Sequence, residues 1–446
     1  MSTNTREIIA NTLFLLETED KKSHLLLREV LEKYDFLDSR DKAFIKRVTE
    51  GTISRQITLD YILNGFSKKP MEKCKPMVKV ILRMSAYQIL FMDKVPDNAA
   101  CDEAVKLVKK LSFDTFGPFV NGILRSVCKA KDTLLSFDNI EDKAQRLSVK
   151  YSVPEWIVRM FIKEQKDAEA LLSAMTEIKG TCVKFIKTDK KAEYLEMWKK
   201  QGITFEESRY IEDAYLLKDF EGVEAVPGFC EGVLLIQDES SMLASKAAGV
   251  KKGSDLTIID VCAAPGGKTC FVASSMENGK VYSCDVSDIK VSLIEENVGR
   301  LKLGNVTPMV WDATVLNEEF VEKADIVIAD VPCSGLGVMA RKSDIKYNVT
   351  NESMKEICDL QKKILENVWR YVKPGGVLIY STCTIHKAEN EKMVKYILEK
   401  LPFEGDSLKP YIPELFEAER PCEYAVQMLP DKDKTDGFFV SRFVRK

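Results

Sequence analysis

The spacing of apolar residues changes twice along this 446-residue chain. Up to about residue 135 they recur at helical intervals. Ile8, Ile9, Leu13 and Leu16 mark one helix. Phe44, Val48 and Ile53 mark another, after the capping stretch Asp38-Ser39-Arg40-Asp41. Met77 to Met92 is so apolar that the pattern places it at the centre of a bundle. Pro96-Asp97-Asn98 ends that helix and starts the next, Ala99 to Lys110. Asn121-Gly122 falls inside a helical pattern, where glycine costs about 1 kcal/mol relative to alanine. Close helix packing is the expected reason for it.

From about 140 to 235 short helices and strands mix. Val153-Pro154-Glu155-Trp156 opens a helix, Thr181 to Ile186 alternates as a strand, and a helix follows near Lys191 to Gln201. From about 236 the period changes again. Apolar runs at 257–260, 280–283, 306–310, 325–329 and 376–380 alternate with helical stretches, the pattern of a doubly wound parallel sheet. The pattern therefore predicts three parts. They are an all-α domain at 1–138, a small α+β module at 139–235, and an α/β Rossmann-like domain at 236–446.

Composition narrows the class. With 45% hydrophobic and 30% charged residues the chain has ample material for several cores. The net charge is −3, unevenly spread. Residues 1–150 hold 26 basic against 21 acidic side chains, and the remainder 40 against 48. A basic helical part is compatible with RNA binding and equally with a solvated helical surface. No signal-peptide core opens the sequence and no long uncharged apolar window occurs, so a cytoplasmic protein without a membrane span is expected. Twelve cysteines, two histidines and no C-x-x-C spacing argue for reduced thiols and against a metal site.

The candidate chemistry lies at strand ends. Cys333 follows Asp330-Val331-Pro332, and Cys383 follows Tyr380-Ser381-Thr382. Both stand just past apolar runs that read as buried parallel strands. That edge of an open α/β sheet is where ligands bind. Two thiols there, beside the carboxylate of Asp330, suggest one sulfur attacking and a second assisting, as in methylation of carbon 5 of a cytosine. The remaining cysteines, such as Cys262, Cys270, Cys284 and Cys358, read as packing residues.

A second feature is the loop Cys262-Ala263-Ala264-Pro265-Gly266-Gly267-Lys268, between the first strand and a helix. A phosphate-binding P-loop would need glycine where Cys262 stands, and the dinucleotide pattern G-x-G-x-x-G is absent. What remains is a loop for S-adenosyl-L-methionine. Asp285 ends the second strand, placed to accept from both ribose hydroxyls, and Asp312 follows the third, placed to accept from the adenine amino group. Asp330 could reach the base edge or the cofactor, and Lys268 could pair with Asp330.

These segments resemble the RNA cytosine-5 methyltransferases, which have a class I S-adenosylmethionine-dependent methyltransferase domain. Arg40 to Phe44, Tyr87 to Leu90 and Val120 to Arg125 are similar to a NusB-like RNA-binding domain. The fusion resembles the bacterial small-subunit ribosomal RNA methyltransferase B type. So do Asp436 to Ser441, and Gly337-Val338 followed by Arg341 to Tyr347. The strand around Val183 to Thr188 lacks that family's Arg-x-Asn pattern, and Ser343 stands where proline is usual. The resemblance implies 16S ribosomal RNA as partner, the cytosine-967-type target, and a monomer with no metal or membrane partner. It makes Cys383 the nucleophile and assigns product release to Cys333. Because the DNA enzymes use their Pro-Cys cysteine for attack, order along the chain does not settle those roles. A transfer-RNA cytosine-5 methyltransferase, or an inactive assembly factor, are the alternatives.

Overall fold

A computed structural model describes residues 4–446 apart from 20, 178, 179, 418, 419 and 421. The chain divides into two compact units, Met1–Thr176 with Met339–Asn348, and Glu177–Val338 with Val349–Lys446.

The first unit is helical. Its helices are α1 (Thr5–Thr18), α2 (Ser23–Lys33), α3 (Ser39–Ser54), α4 (Gln56–Phe66), α5 (Pro76–Phe91), α6 (Asp97–Lys110), α7 (Gly117–Ala130), α8 (Lys143–Tyr151), α9 (Glu155–Glu164) and α10 (Ala168–Ala174). The Asp38 side chain caps α3 by accepting from the Asp41 N–H, which satisfies a donor the helix cannot. Helix α5 is the bundle centre, buried from Met77 to Leu90 but for Lys79. Its buried Arg83 is neutralised by both oxygens of Asp60 and by Glu17. Gly51 lets α3 approach α5, since a Cβ there would lie 1.9 Å from the Tyr87 ring. Gly122 does not act this way. A Cβ there would meet open space, so the expected close packing is corrected; the structure shows no packing need for this glycine.

The helical unit continues past residue 138 because α8 locks onto α4. Thr58 Oγ1 donates to the Val149 carbonyl, and the Ser152 hydroxyl accepts from the Ile57 N–H. The later segment Met339–Asn348 also belongs here. Asp344 accepts from the Ser23 N–H, Tyr347 bonds Ser152, and buried Lys346 donates to the Ser54 carbonyl.

The second unit holds two sheets. The smaller is antiparallel, ordered β2-β3-β1-β4, from β1 (Thr181–Phe185), β2 (Thr204–Glu207), β3 (Ala214–Lys218) and β4 (Leu234–Ile236). Helix α11 (Lys191–Lys200) buries Trp198 against it, among Phe185, Phe205 and Tyr215. After α12 (Glu239–Lys246) the larger sheet begins. Strands β5 (Thr257–Asp260), β6 (Lys280–Asp285), β7 (Val306–Val310), β8 (Ala324–Asp330) and β9 (Val372–Thr382) run parallel. Between them come α13 (Gly267–Ala273), α14 (Asp288–Leu301), the first unit's α15 (Ile345–Asn348), and α16 (Asn351–Val368). The chain ends with α17 (Glu391–Lys400), β10 (Phe403–Gly405), β11 (Ala425–Met428), α18 (Pro430–Asp433) and β12 (Phe438–Arg445).

The expected parallel strands are all present, and the order β8-β5-β6 puts the reversal of winding beside β5. The sheet is nonetheless mixed. Strand β12 pairs antiparallel with β9, and β10 and β11 pair antiparallel with β12. A strand entering from the turn at Asp436-Gly437 can reach β9 only in that direction.

Candidate active site

Register brings the two cysteines together. Strands β8 and β9 pair with Asp330 opposite Ser381, so Cys333 and Cys383 leave adjacent strand ends. Their sulfurs are 3.1 Å apart, and the Cys383 N–H points at the Cys333 sulfur at 3.3 Å. Both residues are half-buried. Hydrogen bonding to Cys383, burial, and the charges of Glu389 and Asp330 push the Cys333 thiol well above its usual range. The site thus favours a protonated Cys333 in the free enzyme.

Beside the sulfurs lies an ion pair. Lys268 Nζ donates to Asp330 Oδ2 at 2.6 Å and to Ser241 Oγ at 2.9 Å, and sits 5.0 Å from the Phe438 ring centre. Asp330 Oδ1 accepts from Ser381 Oγ. Lys268 is only 6% exposed, so its charge needs this partner. The pairing of Lys268 with Asp330 anticipated from the sequence is present.

The loop 262–268 turns sharply at the head of α13. The Ala263 N–H donates to the Cys284 carbonyl and the Gly266 N–H to the Ala263 carbonyl. Gly266 has φ +99°, a conformation glycine adopts without strain. Gly267 is tight as well, with Gln237 3.3 Å from where a Cβ would stand. Buried Asp285 accepts from the Ala264 and Val286 N–H groups and from Lys290 Nζ, tying the loop to the end of β6. Asp312 is exposed, and its Oδ1 accepts from the Thr314 N–H and hydroxyl. Exposed Val286 and Val310 stand on the same two strand ends, and exposed Val315 follows in the loop after the second.

The structure adds residues that the sequence reading passed over. Asp260 ends β5, fully buried, and burial pushes its carboxyl up to about 7. Thr269 donates to its Oδ2, while its Oδ1 has no partner among the described residues. Such an orphan acceptor beside a glycine turn suits a bound donor, for instance an ammonium group. Glu389 and Gln361 lie behind the Cys333 turn, wholly buried. The other cysteines behave as packing groups. Burial pushes Cys270 and Cys284 up to about 12 and Cys358 to about 11, and raises Cys262 as well. Among the described residues no His, Cys, Asp and Glu cluster could hold a metal.

A glycine turn at the switch point and acids ending the next two strands fit S-adenosyl-L-methionine, and the fold is that of a methyltransferase using this cofactor. Solved structures share the architecture. "PH0851" aligns over 99% of this chain and 99% of its own at TM-score 0.81 and 24% identity. The crystal structure of NSun6 from Pyrococcus horikoshii with SFG covers 65% of this chain and 97% of its own at TM-score 0.56 and 20% identity.

The sequence matches narrow the class further. The family described as 16S rRNA methyltransferase RsmB/F matches residues 250–444, and the NusB family matches 3–129. The "Probable ribosomal RNA small subunit methyltransferase B" of Bacillus subtilis is 38% identical over 459 residues, spanning 100% of this chain and 99% of that protein. The "Ribosomal RNA small subunit methyltransferase B" of Proteus mirabilis is 26% identical, over 92% of each. The chain belongs to the ribosomal RNA small subunit methyltransferase B family and is an S-adenosylmethionine-dependent ribosomal RNA methyltransferase with a NusB-like helical domain.

Proposed function

We propose that the enzyme methylates carbon 5 of one cytosine in 16S ribosomal RNA, the cytosine-967-type activity, as a cytoplasmic monomer. The observation that carries this reading is the pair of sulfurs 3.1 Å apart at the ligand edge of the sheet, flanked by Asp330. Carbon 5 of cytosine is a poor nucleophile. Addition of the Cys383 thiolate at carbon 6 converts the ring to an enamine whose carbon 5 attacks an electrophile. S-adenosyl-L-methionine supplies that electrophile, a sulfonium methyl. Cys262 to Lys268, Asp285, Asp312 and Asp330 are the residues proposed to hold it.

Loss of the carbon 5 proton then lets the carbon 6–sulfur bond break. Cys383 leaves as thiolate and the ring double bond returns. The raised thiol of Cys333 supports its assignment to this second step. Its largest cause is Cys383 itself. A protonated Cys333 can donate to the Cys383 sulfur 3.1 Å away. Once Cys383 is a neutral thioether, the charge that opposed ionisation of Cys333 is gone. Cys333 then becomes the better base when a base is needed. Asp330, held by Lys268 and Ser381, can accept from the base edge and stabilise the protonated ring. The target base must leave its stack to reach these groups, which is cheapest in single-stranded RNA.

Bisulfite sequencing of total RNA, from cells with and without the gene, tests the reaction. One protected cytosine in 16S RNA should disappear on deletion and return with the wild-type gene. Persistence of every 16S 5-methylcytosine would overturn the proposal, and a loss confined to transfer RNA would replace its substrate.

A further inference from the structure

Cys333 sits on a turn, not on a strand or helix, so something must hold its sulfur against Cys383. The residues on either side of it are fixed by one buried pair. Behind Cys333, Gln361 Nε2 on α16 donates to the Pro332 carbonyl at 2.9 Å. Ahead of it, the Ser334 N–H donates to Glu389 Oε2 at 2.8 Å, and the Ser334 hydroxyl to Oε1 at 2.6 Å. Gln361 Nε2 also reaches Glu389 Oε2 at 3.2 Å, and His386 Nδ1 lies 3.3 Å from Oε1. The Tyr380 hydroxyl, at the end of β9, donates to the Glu389 carbonyl at 2.6 Å and faces Gln361 Oε1 at 3.3 Å. Glu389, Gln361 and Tyr380 are all 0% exposed.

A buried carboxylate costs stability unless it is fully hydrogen-bonded. Several donors converge on Glu389, a set that an acceptor-only group satisfies. Two of those donors come from the residue that follows Cys333. We propose that Glu389, braced by Gln361, is the positioning residue for Cys333, fixing the Pro332–Ser334 turn so that its sulfur faces the carbon 5 proton of the Cys383-bound base. The inference rests on the proposed role of Cys333 in release. Glu389 does not touch the base; it acts through the turn, and its charge adds to the effects that keep Cys333 protonated before Cys383 has reacted.

The substitution Glu389→Gln keeps the shape and replaces one acceptor oxygen by an N–H₂ donor. Some of the donors around it then face a donor, and the turn loosens. Addition and methyl transfer depend on Cys383 and continue; release slows. Misplacing a reacting group by about 1 Å can cost about 100-fold, so release should slow by about 10- to 100-fold. The experiment uses the full-length enzyme with S-adenosyl-L-methionine and a 16S RNA fragment bearing the target. Protein–RNA adduct is measured on denaturing gels for wild type, E389Q, C333A and the double variant E389Q/C333A, with cofactor affinity by calorimetry. The expected result is adduct accumulation in E389Q, unchanged cofactor affinity, and a double variant no slower in release than C333A alone. Adduct in C333A but none in E389Q overturns the role of Glu389 alone. A double variant markedly slower than C333A shows that Glu389 acts elsewhere, which also overturns it. No adduct in C333A, with release intact, overturns the underlying role of Cys333 instead. If E389Q does not fold, S334A removes one of the two turn bonds and should show the same accumulation to a smaller extent; wild-type release in S334A then counts against the proposal.

Discussion

Asp285 and Asp312 look equivalent in the sequence and differ in the structure. Asp285 is buried and already fixes the loop through the Ala264 N–H. Asp312 is exposed and turned toward Thr314. Hydrogen bonds to charged groups contribute about 1.5–3 kcal/mol, so Asp285→Ala should weaken cofactor binding by about that amount. Asp312→Ala should cost less, about 0.5–1.5 kcal/mol, because an exposed carboxylate exchanges its hydrogen bonds with water. Calorimetric titration decides it, and an unchanged affinity in Asp285→Ala would remove that residue from the site. The cysteines and acids were legible because strand-end positions follow from the hydrophobic period. Glu389 and Gln361 were not. Glu389 sits among polar residues in a stretch without periodicity, and its burial appears only once that stretch folds back behind the sheet edge. Asp260 was not legible either, since nothing in the sequence marks one of its oxygens as orphaned.

At the scale of elements, one close approach locks three segments. Gly337 N–H donates to the Cys383 carbonyl, and Gly437 N–H donates to the Gly337 carbonyl. A Cβ on Gly337 would lie 1.8 Å from the Gly437 carbonyl oxygen. Backbone cannot yield as a side chain can, so Gly337→Ala should destabilise the protein by about 1–3 kcal/mol, the range for overpacking. It should also part the two cysteines and lower methylation. Chemical denaturation together with a methylation assay would show this, and a fully stable, fully active variant would refute the lock. Both glycines stood in segments singled out by resemblance, yet their contact joins residues 100 apart and has no local signal. The five parallel strands were readable because each is a bounded apolar run. The antiparallel additions β10 to β12 are set by pairing partners, which spacing does not reveal.

For the molecule as a whole, the short segment Met339–Asn348 makes the helical unit discontinuous in sequence. It brings a buried lysine with it. Burial, with a smaller effect from Arg55, lowers Lys346 from 10.5 to about 7. Between about pH 7 and 10.5 the unfolded chain therefore holds more of this proton than the folded one, so this group makes stability rise with pH across that window. Below about pH 7 the charged form is buried at full cost. Lys346→Met removes the titration, and its stabilising effect should be greater near pH 7 than near pH 9.5. Urea midpoints of wild type and variant at both pH values test the sign, and a larger gain at the higher pH would contradict it. The RNA partner adds nothing to this test, since it concerns folding alone.

The central claim concerns the two sulfurs, and one gel addresses it. Each single variant is mixed with target RNA and S-adenosyl-L-methionine, then denatured. Cys333→Ala should retain a covalent protein–RNA band, because addition and methyl transfer proceed while loss of the carbon 5 proton is unassisted. Cys383→Ala should give no band and no methylation. A band in Cys383→Ala that is absent from Cys333→Ala would reverse the two roles, and a fully active Cys383→Ala would end the covalent mechanism.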